Sequence, residues 1–308
     1  MKKWILKAVV QKTISFLPYK HRINFLFQKY ITKGVRLSDD YFLDKLIHFK
    51  HHQKFANQYL GTLVQKQIFE LGTGWYPVIP IAFFLNDVAA IKTVDIAGLL
   101  SKRGLIQTIE KFVTYHQTSQ LASVLDYDKD KVKKLEELLE QAPNLELAAI
   151  LNQLNIDYTI GDAAEIRANA ASFDLLVSNN TFEHVYPKDL NRLLSKFKQI
   201  VKKEGLMVHF IDMSDHFAHL DQSITIYNFL RFSEKEWQRI DNTIQPQNRW
   251  RINQYRDLYQ QLEIPITEEE IRPGRLKALS MVPLDPFFDK MSKTDVMISH
   301  VYVVSKMN

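Results

Sequence analysis

The segment Glu70-Leu-Gly-Thr-Gly-Trp-Tyr-Pro77 constrains this chain more than any other stretch. The apolar pair Ile68-Phe69 leads into an acid, two glycines one residue apart, and a proline. That order describes a strand, a tight turn and a helix start. Gly72 and Gly74 leave backbone amides open to a ligand that a side chain would hold off. Pro77 suits the first helical position, where its missing N–H costs nothing. A unit of this kind belongs in a sheet covered by helices on both faces.

The remaining pattern extends the unit. Strands are predicted at 67–71, 90–95, 157–160, 173–178 and 205–212, with two more near 264–271 and 295–304. Between the fourth and fifth, Pro187 opens a helix in which Leu190, Leu193, Leu194, Phe197, Ile200 and Val201 recur at helical spacing. Lys202 and Lys203 fall in its last turn and Gly205 closes it. About sixty residues separate the second strand from the third, where a βαβ link needs roughly thirty in all. Residues 101–155 carry helical patterns at 105–115 and 131–140 and read as an inserted helical cap. Aromatic-rich helices are predicted at 227–240 and 252–262. Upstream, Ser38 can cap a helix with Asp39 and Asp40 in its first turn and Gly61 at its end. The expected organisation is an N-terminal helical region over 1–62 and an α/β domain over 63–308.

Apolar content of 46% excludes general disorder. With no cysteine, disulfides and thiolate metal sites are excluded, and a reducing, cytoplasmic setting fits best. The longest apolar run, residues 78–85, is far short of a membrane span. The net charge of +5 is uneven: residues 1–38 hold nine Lys and Arg and no acid, leaving 31 Lys and Arg against 35 acids beyond them. A basic nucleic-acid groove through the fold is therefore not expected. Residues 1–33 mix those cations with Trp4, Leu6, Phe16 and Phe25, reading as two short amphipathic helices broken at Pro18. Two readings stay open: a cap over the ligand cleft, or a segment attracted to an anionic inner membrane face.

Three further pieces carry chemistry. Asp95 ends the second strand, 23 residues after Gly72, where an acid can accept from both hydroxyls of a ribose. Asp162-Ala163 follows the third strand, where an Asp can hold an adenine amino group. Ser178-Asn-Asn-Thr-Phe-Glu-His184 is the polar exit of the fourth. On these residues the chain resembles the class I S-adenosylmethionine-dependent methyltransferases, particularly the small-molecule, type 11-like kind, over roughly 65–212 and the closing strand pair. The resemblance implies a doubly wound, mostly parallel seven-stranded sheet whose seventh strand is antiparallel. It implies S-adenosylmethionine as cofactor, with Glu70, Gly72, Thr73 and Gly74 around its methionine part. Asp95 would take the ribose, Asp162 and Ala163 the adenine edge, and Asn179 belongs to the motif after the fourth strand. The implied reaction is methyl transfer to oxygen or nitrogen of a small-molecule or lipid-linked acceptor. Two departures stand out: Tyr76 replaces the loop's third glycine, and the insertion after Asp95 leaves the acceptor pocket unassigned.

Methyl transfer from a sulfonium is an in-line displacement that asks for positioning, water exclusion and at most one base. His184, Asp212, His216 and His219 are the candidates, with Asp212 and His216 directly after the fifth strand. His184 can equally brace its turn, and His209 reads as a strand residue facing a helix. His48, His51 and His52 lie between lysines without a zinc-helix Glu, so they read as a solvated helix face. Asp215, His216, His219 and Asp221 could ligate a divalent ion, but no metal is expected. Trp237, Trp250, Tyr255 and Tyr259 read as core before pocket. A nicotinamide-dependent oxidoreductase would use the same turn and Asp95 but would want a glycine near 77. A silent membrane-peripheral scaffold would have no need of Glu70, Gly72, Gly74, Asp95 and Asp162 together.

Overall fold

The computed structural model of the chain describes residues 2–18, 20, 23 and 36–308. Strands β1 (Gln67–Leu71), β2 (Ala90–Asp95), β3 (Ile156–Ile160), β4 (Phe173–Asn179), β5 (Val201–Asp212), β6 (Glu268–Pro273) and β7 (Ile298–Lys306) form one sheet in the order β3-β2-β1-β4-β5-β7-β6. β1 pairs in parallel with β2 and β4, and β2 with β3. β7 runs against β5: Ser299 O takes the amide of Met213 while Gly205 O takes that of Met307, so one index falls as the other rises. The doubly wound sheet with an antiparallel seventh strand is thus the observed fold.

Helices α1 (Lys3–Ser15), α2 (Asp39–Leu60), α3 (Val78–Phe84), α4 (Lys102–Gln117), α5 (Lys129–Gln141), α6 (Pro187–Ile200), α7 (Glu234–Ile240) and α8 (Ile252–Gln261) are joined by shorter helical turns. The chain divides into two compact units. The first comprises Val35–Asn179, Leu193–Val208 and Val304–Asn308. Its core is aromatic: Phe69 on β1 meets Phe173 at 5.3 Å and Phe197 of α6 at 5.4 Å, edge-on in both cases. α2 starts where the Ser38 hydroxyl accepts from the Tyr41 amide and stops at Gly61, whose φ of 78° suits glycine. It is tied to α4 by Phe42 against Phe112 and to α3 by Phe49 against Phe83, each pair 4.9 Å apart. Edge-on pairs of this kind contribute about 0.5–1.5 kcal/mol beyond their buried area.

Two local expectations are corrected. Pro77 caps α3 instead of opening it, since its ψ of 55° is not helical and the helix begins at Val78. α6 ends at Ile200, and Lys202, Lys203 and Gly205 belong to β5. Val201 is buried as the strand's first residue, and Lys202 pairs with Asp174 of β4 at 2.8 Å. Gly205 is there because a Cβ would meet Val201 Cγ2 at 2.7 Å and the Lys202 carbonyl at 2.8 Å.

The second unit comprises Met1–Gly34, Asn180–Arg192 and His209–Val303. The Trp4 ring of α1 sits 6.0 Å from both Phe217 and Phe232, and the Trp4 amide donates to Asp221. Lys12 donates to the carbonyls of Gln238 and Asp241. The same helix leaves Leu6 and Val9 exposed, and Phe16 and Leu17 directly after it are exposed as well. The helix expected after Pro18 lies outside the described residues. The helix expected over 227–240 is interrupted: a 3-10 turn spans Asn228–Arg231, and α7 restarts at a capping box of Ser233 and Glu236. Arg251 is fully buried and donates to the carbonyls of Met213, Val296 and Ile298, pinning the exit of β5 to the entry of β7. Among the described residues, no helix is long and apolar enough to cross a membrane.

Candidate functional site

In the first unit, the glycine turn is locked from β2. Gly72 and Gly74 have φ of 86° and 71°, the left-handed region that favours glycine. The Gly72 amide donates to Val94 O at 2.9 Å, and the Gly74 amide donates to Asp95 Oδ2 at 2.9 Å. A Cβ placed on Gly74 would meet nothing within 4 Å, so the turn faces open space. Beneath it, the Thr93 hydroxyl donates to Glu70 Oε2 at 2.8 Å and is in hydrogen-bond contact with the Thr73 hydroxyl. Glu70 is 2% exposed; burial, helped by the nearby Asp95 charge and opposed by the Thr93 hydroxyl, pushes its carboxyl up to about 7. Burial likewise pushes Asp95 up to about 6, against the amides of Gly74 and Thr73.

Around this turn the unit supplies further walls. Ile96, beside Asp95, is 76% exposed, and Ile160 at the end of β3 is 58% exposed. Asp162 accepts the Ala164 amide at 2.9 Å, and Ala163 is buried between them. Tyr76 stacks edge-on against Tyr41 of α2 at 6.0 Å, which occupies the bulky residue that stands where a third glycine was expected. Gly104 lets α4 approach: a Cβ there would lie 2.6 Å from the Trp75 carbonyl. The solvated-face reading of His48, His51 and His52 does not hold. His48 and His52 are buried on the stripe that includes Phe42, Leu46, Phe49 and Ala56, and His52 Nε2 donates to Asn179 Oδ1 at 2.9 Å. Tested against S-adenosylmethionine, this set fits: an open left-handed glycine turn, an acid beside it for a diol, and exposed apolar surface for a flat base.

In the second unit, a histidine cluster surrounds the end of β5. Asp212 is 5% exposed, with Oδ2 3.3 Å from His216 Nε2 and Oδ1 3.3 Å from His300 Nε2. Burial alone would raise its pKa, but bonds and charge from His216 and His300 outweigh burial and hold it well below the usual carboxylate range. His184 Nδ1 donates to Pro246 O at 2.6 Å, leaving Nε2 with its lone pair. Burial, together with His216, holds this imidazole neutral, down to about 4. The rings of His184 and His216 are 4.9 Å apart, and His219 stacks on His216 at 5.5 Å. His209 is a core residue stacked on Phe182 at 4.4 Å.

The metal set weighed from sequence is dispersed. Asp215 accepts from the Phe217 amide and Asn228, and Asp221 from the amides of Trp4 and Ser223. The structure instead gathers Glu183, His184 and His216, whose donor atoms lie within 4.8 Å of one another. His300, on β7, was not foreseen; its only signal was a lone imidazole in the apolar run Val296-Met-Ile-Ser-His-Val-Tyr-Val-Val304.

A cavity of about 800 Å³ opens in the same unit, lined by Phe16, Tyr186, Trp237, Arg249, Trp250 and Phe288 among others. Tyr255 and Tyr259 are core residues, buried outside that lining. Trp237 and Gln247 form a wall common to the cavity and to a small void of about 10 Å³ that reaches His216. Gln247 Oε1 accepts from the His216 amide and its Nε2 donates to Ser214 O. Tyr186 and the Gln247 amide both donate to Asp241 at the cavity edge.

Residues 114–209 match the family described as Methyltransferase domain. The matched stretch includes Asp162, Ala163, Asn179 and His184. No curated protein matches the chain. Among solved structures, the Burkholderia thailandensis 1,6-didemethyltoxoflavin-N1-methyltransferase with bound 1,6-didemethyltoxoflavin and S-adenosylhomocysteine is similar at 9% identity and a TM-score of 0.48, covering 93% of this chain and 87% of that one. The PH0226 protein from Pyrococcus horikoshii is similar at 11% identity and a TM-score of 0.48, covering 88% of this chain and 93% of that one.

Proposed function

We propose that this chain is a class I S-adenosylmethionine-dependent methyltransferase that methylates an oxygen or nitrogen of a small-molecule or lipid-linked acceptor. The observation that carries the cofactor assignment is the Gly72–Gly74 turn, held open and left-handed by the Asp95 carboxylate. When bound, S-adenosylmethionine supplies a sulfonium methyl group that a nucleophile can displace.

The chain's own residues bind and orient. The turn of Glu70, Gly72, Thr73 and Gly74, which carries no side chain at its two glycines, lets the methionine end lie against the backbone. Asp95 accepts from the ribose hydroxyls, and Asp162 with Ala163 meets the adenine edge while Ile96 offers an apolar plane. Asn179 is fixed in place by His52 and contributes its amide to the same ligand. The aromatic cavity bounded by Trp237 and Trp250 receives the acceptor; its size and indole walls favour a bulky, partly apolar molecule. The cluster of His184, His216 and Asp212 deals with the acceptor's proton. The exposed apolar face of α1, in a segment with nine cations and no acid, favours an acceptor presented at an anionic lipid surface.

Titration calorimetry of the full chain with S-adenosylhomocysteine tests the cofactor assignment, with reduced nicotinamide dinucleotide as comparison. Saturable binding of the first and none of the second is expected. No heat at millimolar S-adenosylhomocysteine would overturn it.

A further inference from the structure

We propose that Glu183, His184 and His216 form a binding site for one divalent transition-metal cation of the Mn²⁺ to Zn²⁺ series. Their donor atoms already lie within 4.8 Å of one another, although His216 is 32 residues away along the chain. Two imidazoles and one carboxylate are the donor set that such cations take with coordination positions left open, whereas Mg²⁺ and Ca²⁺ prefer all-oxygen sites. Each imidazole also has an outer partner. His184 Nδ1–H is committed to the Pro246 carbonyl at 2.6 Å, which turns the bare Nε2 outward as a ligand. The Asp212 carboxylate lies 3.3 Å from His216 and is itself 3.3 Å from His300. Carbonyl and carboxylate partners behind ligating histidines set the ring's tautomer and raise its basicity. The main chain that carries the carboxylate is well fixed: Glu183 is 1% exposed, its backbone oxygen accepts from the Asn248 amide, and the Asn248 side chain donates to the carbonyls of Phe182 and Val185. A preformed trio whose backbone is clamped on both sides loses little entropy on binding.

The role of this site rests on the methyl-transfer reading. A cation there would lower the pKa of an acceptor hydroxyl, whose proton then leaves to solvent, so His184 and His216 would act on that proton through the metal instead of taking it. This favours an oxygen acceptor over an amine, which needs no such acidification.

The site can be tested without turnover. Chelator-stripped full-length protein is titrated with Co²⁺, followed by calorimetry and by visible absorption, which reports nitrogen and carboxylate ligation. One equivalent is expected to bind. His184→Ala, His216→Ala and Glu183→Gln should each weaken it at least about tenfold, the loss of one ligand interaction of about 1.4 kcal/mol, while His219→Ala leaves it unchanged. Glu183→Gln preserves shape and covers the case in which a histidine variant fails to fold. Absence of stoichiometric Co²⁺ binding, or binding indifferent to all three substitutions, overturns the proposal. S-adenosylhomocysteine calorimetry on the same samples separates the two readings: nucleoside binding without Co²⁺ removes the metal site alone, and Co²⁺ binding without the nucleoside removes the methyl-transfer reading alone.

Discussion

Glu70 is a carboxyl group with almost no water around it, sited under the glycine turn against the hydroxyls of Thr93 and Thr73. Its folded pKa of about 7 lies above the ordinary 4.5, so it favours folding below pH 4.5 and that contribution is lost as pH rises through 7. The amount is on the order of 3 kcal/mol. Thermal melts of the ligand-free protein should therefore fall as pH rises between about 5 and 8, and Glu70→Gln should flatten that slope; an unchanged slope would place the titration elsewhere. Asp95, raised to about 6, must be ionised to accept from a diol. S-adenosylhomocysteine should bind more weakly below pH 6. Asp95→Asn should cost about 10- to 100-fold in affinity at neutral pH, the worth of one to two charge-assisted bonds. A pH-independent dissociation constant would contradict this role.

Helices set the next scale. α2 carries His52 to Asn179, so His52→Ala leaves a buried amide without its partner ring and should cost about 1–3 kcal/mol in chemical denaturation. α1 does two things with two faces. Trp4, Ala8, Gln11 and Ile14 are buried, while Leu6 and Val9 face outward. Replacing Leu6 and Val9 by Ser touches only the outer face and should change stability by no more than about 0.5 kcal/mol. The same double variant should pellet less with phosphatidylserine vesicles than the unmodified chain. Equal pelleting would mean that this face does not meet lipid.

For the molecule as a whole, cofactor binding and folding are linked. A ligand held by Gly72, Gly74 and Asp95 binds only the folded chain, so S-adenosylhomocysteine at a hundred times its dissociation constant should stabilise by about 2.7 kcal/mol. Reduced nicotinamide dinucleotide should not move the melting temperature. A shift with the second and not the first would reverse the cofactor assignment.

What was legible in the sequence is what short-range physics encodes. β1 and β4 are short, mostly apolar runs, and the glycine turn needs φ values that only a local signal specifies, so these were readable, with Asp95 at the end of β2 and Asp162 just after β3. Even the misread His52 had a local signal, because the spacing 42-46-49-52-56 places it on the buried stripe, which the flanking lysines obscured. The rest required the chain to be folded. Asp212 meets both His216 and His300 only because β7 runs back along β5, and Glu183 and His184 meet His216 only through the turns that Asn248 and Gln247 tie down. The aromatic cavity draws its walls from α1, α7 and the segments around them. The glycine turn and its acids are set by neighbours in sequence, whereas the histidine cluster and the aromatic cavity are set by long-range packing, whose partners no periodicity records.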